Sequence, residues 1–108
     1  MKKSTYLKLL PFFILFLCLL SQDGFAIQWA KKYGGSGIDW TYSIQQTTDG
    51  GYIVAGSTNS FGAIGSDMWI LKLDSGGNVT WQKTYGRSNS DRAESIQQTT
   101  DGGYILAG

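Results

Sequence analysis

The chain contains no histidine and a single cysteine, Cys18. Histidine is the commonest general base and metal ligand at neutral pH, so its absence excludes Ser-His-Asp and Cys-His nucleophile systems within this sequence. Cys18 lies in an apolar run that we expect to be removed with an N-terminal leader. The remaining chain would then hold no thiol, no disulfide and no thiolate metal site, and its core must be stabilised by packing.

An excess of charge of either sign is also lacking. The formal net charge is +1, and the basic residues form no stripe along the chain. Binding to a phosphate backbone requires such a stripe, because the affinity comes from neutralising phosphates with Lys and Arg. Nucleic acid is therefore excluded as an expected partner.

Long hydrophobic runs are absent except near the N-terminus. Residues 1–26 have a basic start, an apolar run over 9–20 and small residues before a cleavage point, which is the layout of a secretory signal peptide. The apolar run is shorter than the roughly 20 residues needed to span ~30 Å of hydrocarbon. We predict a signal-peptide helix cleaved after Ala26, giving a secreted or cell-surface product that meets the membrane only before cleavage. An uncleaved anchor is the alternative.

The most informative feature that is present is an internal repeat. Residues 43–56 recur as 95–108 at a spacing of 52 residues, with Leu106 in place of Val54 as the one difference. The same spacing relates residues 29–34 to 81–86. A fixed period of this length is typical of stacked repeats, in which one unit cannot bury its own apolar face.

The repeat unit has the pattern of four strands and no helix, predicted at 40–48, 52–56, 67–74 and 79–85. The second and third are short apolar runs, which predicts burial on both faces, while the alternating fourth fits an outer edge. Asp-Gly-Gly between the first two strands, and the turn at 74–78, supply the residues that hairpins need.

Four antiparallel strands in about 50 residues is the size of one propeller blade. We therefore predict an all-β fold over 27–108, a partial β-propeller with one full blade and flanking strands. Residues 27–33 are predicted to be a fourth strand that completes the last blade. A β-helix, with shorter coils, and a sandwich, which needs no literal repeat, are the alternatives. A ring of 4 to 8 blades needs roughly 200 to 400 residues, so a fragment or a truncated reading frame is expected.

Three motifs carry a family resemblance: WQKTYG at 81–86, SIQQTTDGGYILAG at 95–108 and DMWILKLD at 67–74. Together they resemble bacterial and archaeal secreted tandem-repeat β-propeller surface proteins, mostly of unknown function. The resemblance covers the chain after residue 26 and implies export and a propeller, but no reaction. A weaker likeness to the blade-docking hairpin of quinoprotein propellers is structural and brings no cofactor ligands.

The carboxylates offer the remaining route to catalysis, since two at a suitable separation suffice for glycoside hydrolysis. Asp49 and Asp101 lie in hairpin turns, where Asp caps its own backbone. Asp39 and Asp91 recur at one repeat position, which indicates a structural role in a loop. The turn at 74–78 lacks the oxygen-ligand pattern of a calcium loop. We expect no catalytic residue, no metal and no cofactor.

The four tryptophans divide into structural and candidate contact residues. Trp29 and Trp81 occupy equivalent positions in the repeat and are expected to lie in the core or to dock one repeat on the next. Trp69 lies in the middle of a strand and is expected to be a core residue. Trp40 has no aromatic counterpart, because Arg92 takes its place. Trp40 is therefore the candidate for an exposed contact.

These observations predict an exported, non-catalytic propeller segment that binds or scaffolds at the cell surface. Its expected partners are an unidentified protein or glycan ligand and further copies of the chain, whose self-association would complete the propeller. The alternative is part of a secreted propeller enzyme, for example a glycan-cleaving one, with catalytic residues outside this segment. Catalysis needs residues that break the repeat pattern, so near-identical repeats favour the scaffold. A third possibility is that this reading frame makes no functional product.

Overall fold

A computed structural model describes residues 29–87 and 89–108. The predicted signal peptide, its helix and its cleavage point lie outside these residues. Across the described ranges the fold is all-β, with six strands and no helix. In particular, this part of the chain contains no helix long and apolar enough to cross a bilayer.

The strands form two antiparallel groups. Four of them make one sheet in the order β1-β2-β3-β4, and β5 pairs with β6. Their bounds are β1 Asp39–Gln46, β2 Tyr52–Thr58, β3 Asp67–Leu73, β4 Val79–Tyr85, β5 Ser95–Gln98 and β6 Tyr104–Ala107. The antiparallel pairings expected through the two turns are confirmed.

The turn between β1 and β2 uses glycine and aspartate for different purposes. Gly50 has a φ of 82°, a left-handed conformation that glycine adopts without steric cost. Asp49 does not take a positive φ; its carboxylate accepts a hydrogen bond from the Gly51 amide at 2.9 Å. Only one residue of the Asp-Gly pair therefore supplies the positive φ, and the aspartate caps the turn. Gly102, with a φ of 84°, repeats this geometry between β5 and β6.

A close approach between two backbone segments near the start of the first strand recurs in both repeats. The carbonyl of Trp40 lies so close to the Cα of Gly56 that a Cβ there would collide with it. Gly108 meets the carbonyl of Arg92 in the same way. Glycine at this position is thus required by a close backbone approach, which explains its recurrence at the end of the repeated sequence.

β2 and β3 are the most buried strands, as their apolar runs predict, because side chains cover the sheet on both faces. We call the face that carries Ile53, Ala55 and Ile70 the forward face. The opposite face, with Val54, Trp69, Leu71 and Leu73, is the rear face. Alternation along each strand assigns neighbouring residues to opposite faces.

The forward face is covered by the second repeat. Ile96, Tyr104 and Leu106 of the β5–β6 hairpin pack on Ile53 and its neighbours, together with Ala93 just before β5. A hydrogen bond also joins the two repeats: the Ile96 amide donates to the Ser43 hydroxyl, at 3.4 Å. A two-stranded hairpin is only marginally stable alone, so this packing is what holds β5 and β6 in place.

Part of the rear face is covered by residues 29–33, which are predicted from the sequence to be a strand together with 27 and 28. That expectation is wrong for 29–33, which form no strand, and 27 and 28 lie outside the described residues. The repeat equivalent of this segment, β4, pairs only with β3, and both edges of β3 are already occupied by β2 and β4. The segment is held by side chains instead, because the Trp29 indole donates to the Ser75 carbonyl at 3.0 Å and the Tyr33 hydroxyl to Gly77 at 2.6 Å.

An aromatic contact shows that both junctions share one geometry. Trp29 meets Tyr52 edge to face, with ring centroids 5.5 Å apart and an interplanar angle of 77°. Trp81 and Tyr104, each 52 positions further along, meet at 6.0 Å and 65°. Residues 29–33 therefore lie against the rear face of the first repeat as β4 lies against the second repeat.

Candidate ligand-binding site between the repeats

The repeats differ most at the start of their first strands. Trp40 and Tyr42 of the first repeat stand where the second has Arg92 and Glu94. The surrounding positions keep the same turn and the same close backbone approach, so the shared fold does not dictate the residue type here. A position that differs between otherwise matching units is where a specific function can be added.

The structure places Trp40 on the surface. It is 60% exposed and lies opposite Ser57 in the β1–β2 register. It lines a groove of about 440 Å³ that also contains its own repeat counterpart, Arg92. The full lining is Trp40, Tyr42, Ser57, Ser66, Ser90, Asp91 and Arg92.

Backbone hydrogen bonds fix the far wall of this groove. The Asp91 amide donates to the Ser66 carbonyl at 2.6 Å, and the Ala93 amide donates to the Gly56 carbonyl at 3.1 Å. Between these tethers, Arg92 forms an ion pair with Glu94 at 2.9 Å. Both side chains of this pair are more than half exposed, so the pair places the guanidinium beside the groove without fixing it there.

Sequence reasoning identified Trp40 but missed Tyr42, Asp91 and Arg92 as lining residues. Tyr42 could have been found by extending the repeat comparison two positions, to its counterpart Glu94. The proximity of Trp40 to Arg92 could not have been found from the sequence, because it depends on how the second repeat packs on the first.

The recurring aspartates of the two loops have the structural role that their position indicated. Asp39 accepts a hydrogen bond from the Gly35 amide at 2.9 Å, and Asp91 accepts one from the equivalent Arg87 amide, also at 2.9 Å. Burial acts to raise the pKa of Asp39, but hydrogen bonds from Thr58, Gly35 and Ser60 outweigh it, and the pKa lies below its ordinary value. Each carboxylate therefore stabilises the loop in which it lies by accepting a hydrogen bond from an amide four residues earlier.

The hairpin aspartates likewise cap their turns, but Asp49 has an additional partner. Its carboxylate lies 3.0 Å from Nζ of Lys72, whose side chain is only 8% exposed. Hydrogen bonds from the Thr47 hydroxyl, the Gly51 amide and Lys72 hold the pKa of Asp49 well below its usual range. The sequence signal for this pair was available: Lys72 is the single charge in the interior of an apolar run that ends next to an acidic turn.

Asp74 serves the turn at 74–78 in a similar manner. Its carboxylate accepts the Gly76 amide at 2.9 Å and the Asn78 amide at 2.8 Å. The Asn78 bonds are the main reason why the pKa of Asp74 is lowered. Within residues 29–87 and 89–108, no group of three or more His, Cys, Asp or Glu side chains converges on a point that could hold a metal ion.

The other tryptophans have the structural positions expected of them. Trp69 is 2% exposed, and its indole donates to the Gln82 side chain at 3.1 Å. Trp29 and Trp81 are half-buried at the two junctions. Trp40 thus differs from all three in lying on an open surface.

No known protein-family model, curated protein or solved structure matches this chain. The resemblance to secreted tandem-repeat propellers accordingly stays a prediction from the sequence motifs. The repeat geometry and the groove at Trp40 are the observations that bear on function.

Proposed function

We propose that this chain is an exported β-propeller repeat segment that acts as a non-catalytic binding or scaffolding module at the cell surface, and that Trp40 contacts its ligand. The propeller proposal is supported by the four-stranded antiparallel sheet and by the second hairpin stacked on its forward face. It is further supported by residues 29–33, which take the place of a fourth strand against the rear face.

The observation that carries the binding proposal is the exposed indole of Trp40 in a groove whose other walls are mainly polar. A flat aromatic face beside hydroxyls, a carboxylate and a guanidinium can stack on the C–H face of a sugar ring while polar groups bind its hydroxyls. An apolar peptide could use only the two aromatic side chains of this groove, whereas a ligand rich in hydroxyls could also bind its serines, Asp91 and Arg92. A glycan is therefore the ligand class that the groove favours.

Calorimetric titration of the exported protein with a panel of cell-wall and extracellular polysaccharides tests this proposal. We expect at least one to bind, with Trp40→Ala abolishing the heat of binding and Arg92→Ala weakening it. Tyr85→Ala is the matched control, because Tyr85 is also an exposed aromatic but lies on β4 outside the groove. The proposal fails if no polysaccharide binds, or if Trp40→Ala and Tyr85→Ala bind with equal affinity.

Export has a separate test that does not depend on the ligand. N-terminal sequencing of the protein recovered from outside the cell should begin at Ile27, one residue after Ala26. A product that stays in the membrane and retains its first residues would show that the leader is an anchor instead.

A further inference from the structure

The connection between β3 and β4 holds a short motif that the proposed function does not use. Asn78-Val79-Thr80 has the pattern Asn-x-Ser/Thr, with a residue other than proline in the middle. This pattern is the acceptor sequence for N-linked glycosylation of exported proteins. The other two asparagines lack it, because Phe61 stands two residues after Asn59, and Asp91 two residues after Asn89.

The fold keeps Asn78 on the surface, at the end of the turn at 74–78. Its Nδ2 donates to the Asp74 carboxylate at 3.1 Å, and its Oδ1 accepts from Nζ of Lys31 at 2.6 Å. A carboxamide nitrogen carries two hydrogens, so a sugar that replaces one of them leaves the other to donate to Asp74. The carbonyl oxygen is unchanged by the modification. The exposed turn can therefore carry a sugar on Nδ2 and keep both contacts.

The hydroxyl that completes the motif is already engaged in the folded protein. Thr80, in β4, donates its hydroxyl hydrogen bond to the Lys72 carbonyl at 3.1 Å. A transferase that recognises this hydroxyl must therefore meet the segment before the β3–β4 hairpin closes. A signal peptide directs the chain across the membrane, so the transfer belongs to the period between translocation and folding.

We propose that Asn78 is an N-glycosylation site of the exported protein, with a lipid-linked sugar phosphate as the donor. Nδ2 attacks the anomeric carbon of the sugar, and the bond from that carbon to the phosphate oxygen breaks. The lipid phosphate leaves with the electron pair of that bond, and the nitrogen releases one proton. This inference goes beyond the proposed function, because it makes the chain the carrier of a glycan, and it relies only on the export part of that proposal.

Intact mass spectrometry of the protein recovered from outside the cells that make it tests the proposal, with electron-transfer fragmentation to locate the sugar. The wild type should exceed its sequence mass by one or more sugar residues, attached at residue 78. Asn78→Gln and Thr80→Ala should each return to the sequence mass, whereas Thr80→Ser should keep the sugar because it retains the hydroxyl. Asn89→Gln is the matched control, since Asn89 is also exposed but lacks the motif, and this variant should carry the wild-type sugar.

N-terminal sequencing of the same samples reports export separately from glycosylation. An exported wild type at its sequence mass overturns the proposal and leaves export intact. Added mass that persists in Asn78→Gln also overturns it, because the sugar then lies elsewhere. A wild type that stays inside the cell without added mass overturns the proposal together with export. The conservative pair Thr80→Ser and Thr80→Ala distinguishes recognition of the hydroxyl from a general effect of altering β4.

Discussion

The two copies of the repeated sequence are almost identical in residues and opposite in burial. Ile53 is fully buried in the first copy, and its counterpart Ile105 is 62% exposed in the second. The order reverses for Ile44, at 63% exposed, and Ile96, at 5%. Burial at these positions is therefore set by whether a neighbouring repeat covers the face, as expected of an architecture in which each unit contacts only its neighbours.

Polar groups show the same dependence on position in the stack. Asp49 and Asp101 cap equivalent turns, and hydrogen bonds lower the pKa of both, from Thr47 and Thr99 respectively. Among the described residues Asp49 has a lysine partner and Asp101 has none, because Lys72 comes from the third strand of the first repeat and the described part of the second repeat comprises β5 and β6. Identical turns thus differ in electrostatics through the strands beside them.

The largest expected difference is between Ile53→Ala and Ile105→Ala, measured by urea unfolding of dilute, monomeric protein. The first should lower the free energy of unfolding by about 2 to 5 kcal/mol or prevent folding, because it leaves a cavity between two packed repeats. The second removes an exposed side chain and should change it by less than about 0.5 kcal/mol. Equal losses would mean that the two positions have the same environment, contrary to the structure.

The stabilities of Ile96→Ala and Ile44→Ala should differ less than those of the first pair, because the affected element is a hairpin that can detach locally. Ile96 lies in the junction, and burying such a side chain is worth about 1.5 to 3 kcal/mol. Hydrogen exchange should therefore show loss of protection confined to β5 and β6 in Ile96→Ala. Ile44→Ala should leave the exchange pattern of the monomer unchanged. Loss of protection spread evenly over all strands would contradict a separately docked hairpin.

The smallest expected difference is in melting temperature, between Asp49→Asn and Asp101→Asn. At neutral pH the first should lower the melting temperature more, because it leaves the buried Lys72 charge without its carboxylate. The folded pKa of Asp49 lies below the ordinary 3.8, so its stabilisation is present above that pH and is lost as the pH falls through the folded pKa.

Acidification below about pH 4 should thus lower the melting temperature less steeply in Asp49→Asn than in the wild type. Thermal unfolding followed by circular dichroism across the acid range measures this slope. Equal slopes for the wild type and Asp49→Asn would show that this carboxylate does not contribute to acid sensitivity.

The sequence predicted the strands and their pairing because both depend on local patterns. Period-two alternation marked β4, apolar runs marked β2 and β3, and glycine-rich turns fixed the antiparallel neighbours. It could not predict which copy of a duplicated isoleucine is buried, since identical sequences carry no information about their neighbours. It also wrongly gave residues 29–33 a strand, because β4 pairs with β3, whereas no described strand is open to pair with its repeat equivalent at 29–33. Trp40 was found as a departure from the repeat, whereas the wall opposite it required the three-dimensional stacking.

Solvent accessibility of the isoleucine side chains tests most directly the claim that position in the stack decides burial. A soluble paramagnetic agent added to dilute, methyl-labelled protein broadens the NMR signals of exposed methyl groups. Ile44 and Ile105 should broaden strongly, while Ile53, Ile70 and Ile96 should stay sharp. If repeat equivalents instead broaden together, Ile44 with Ile96 and Ile53 with Ile105, then the two repeats do not stack as described.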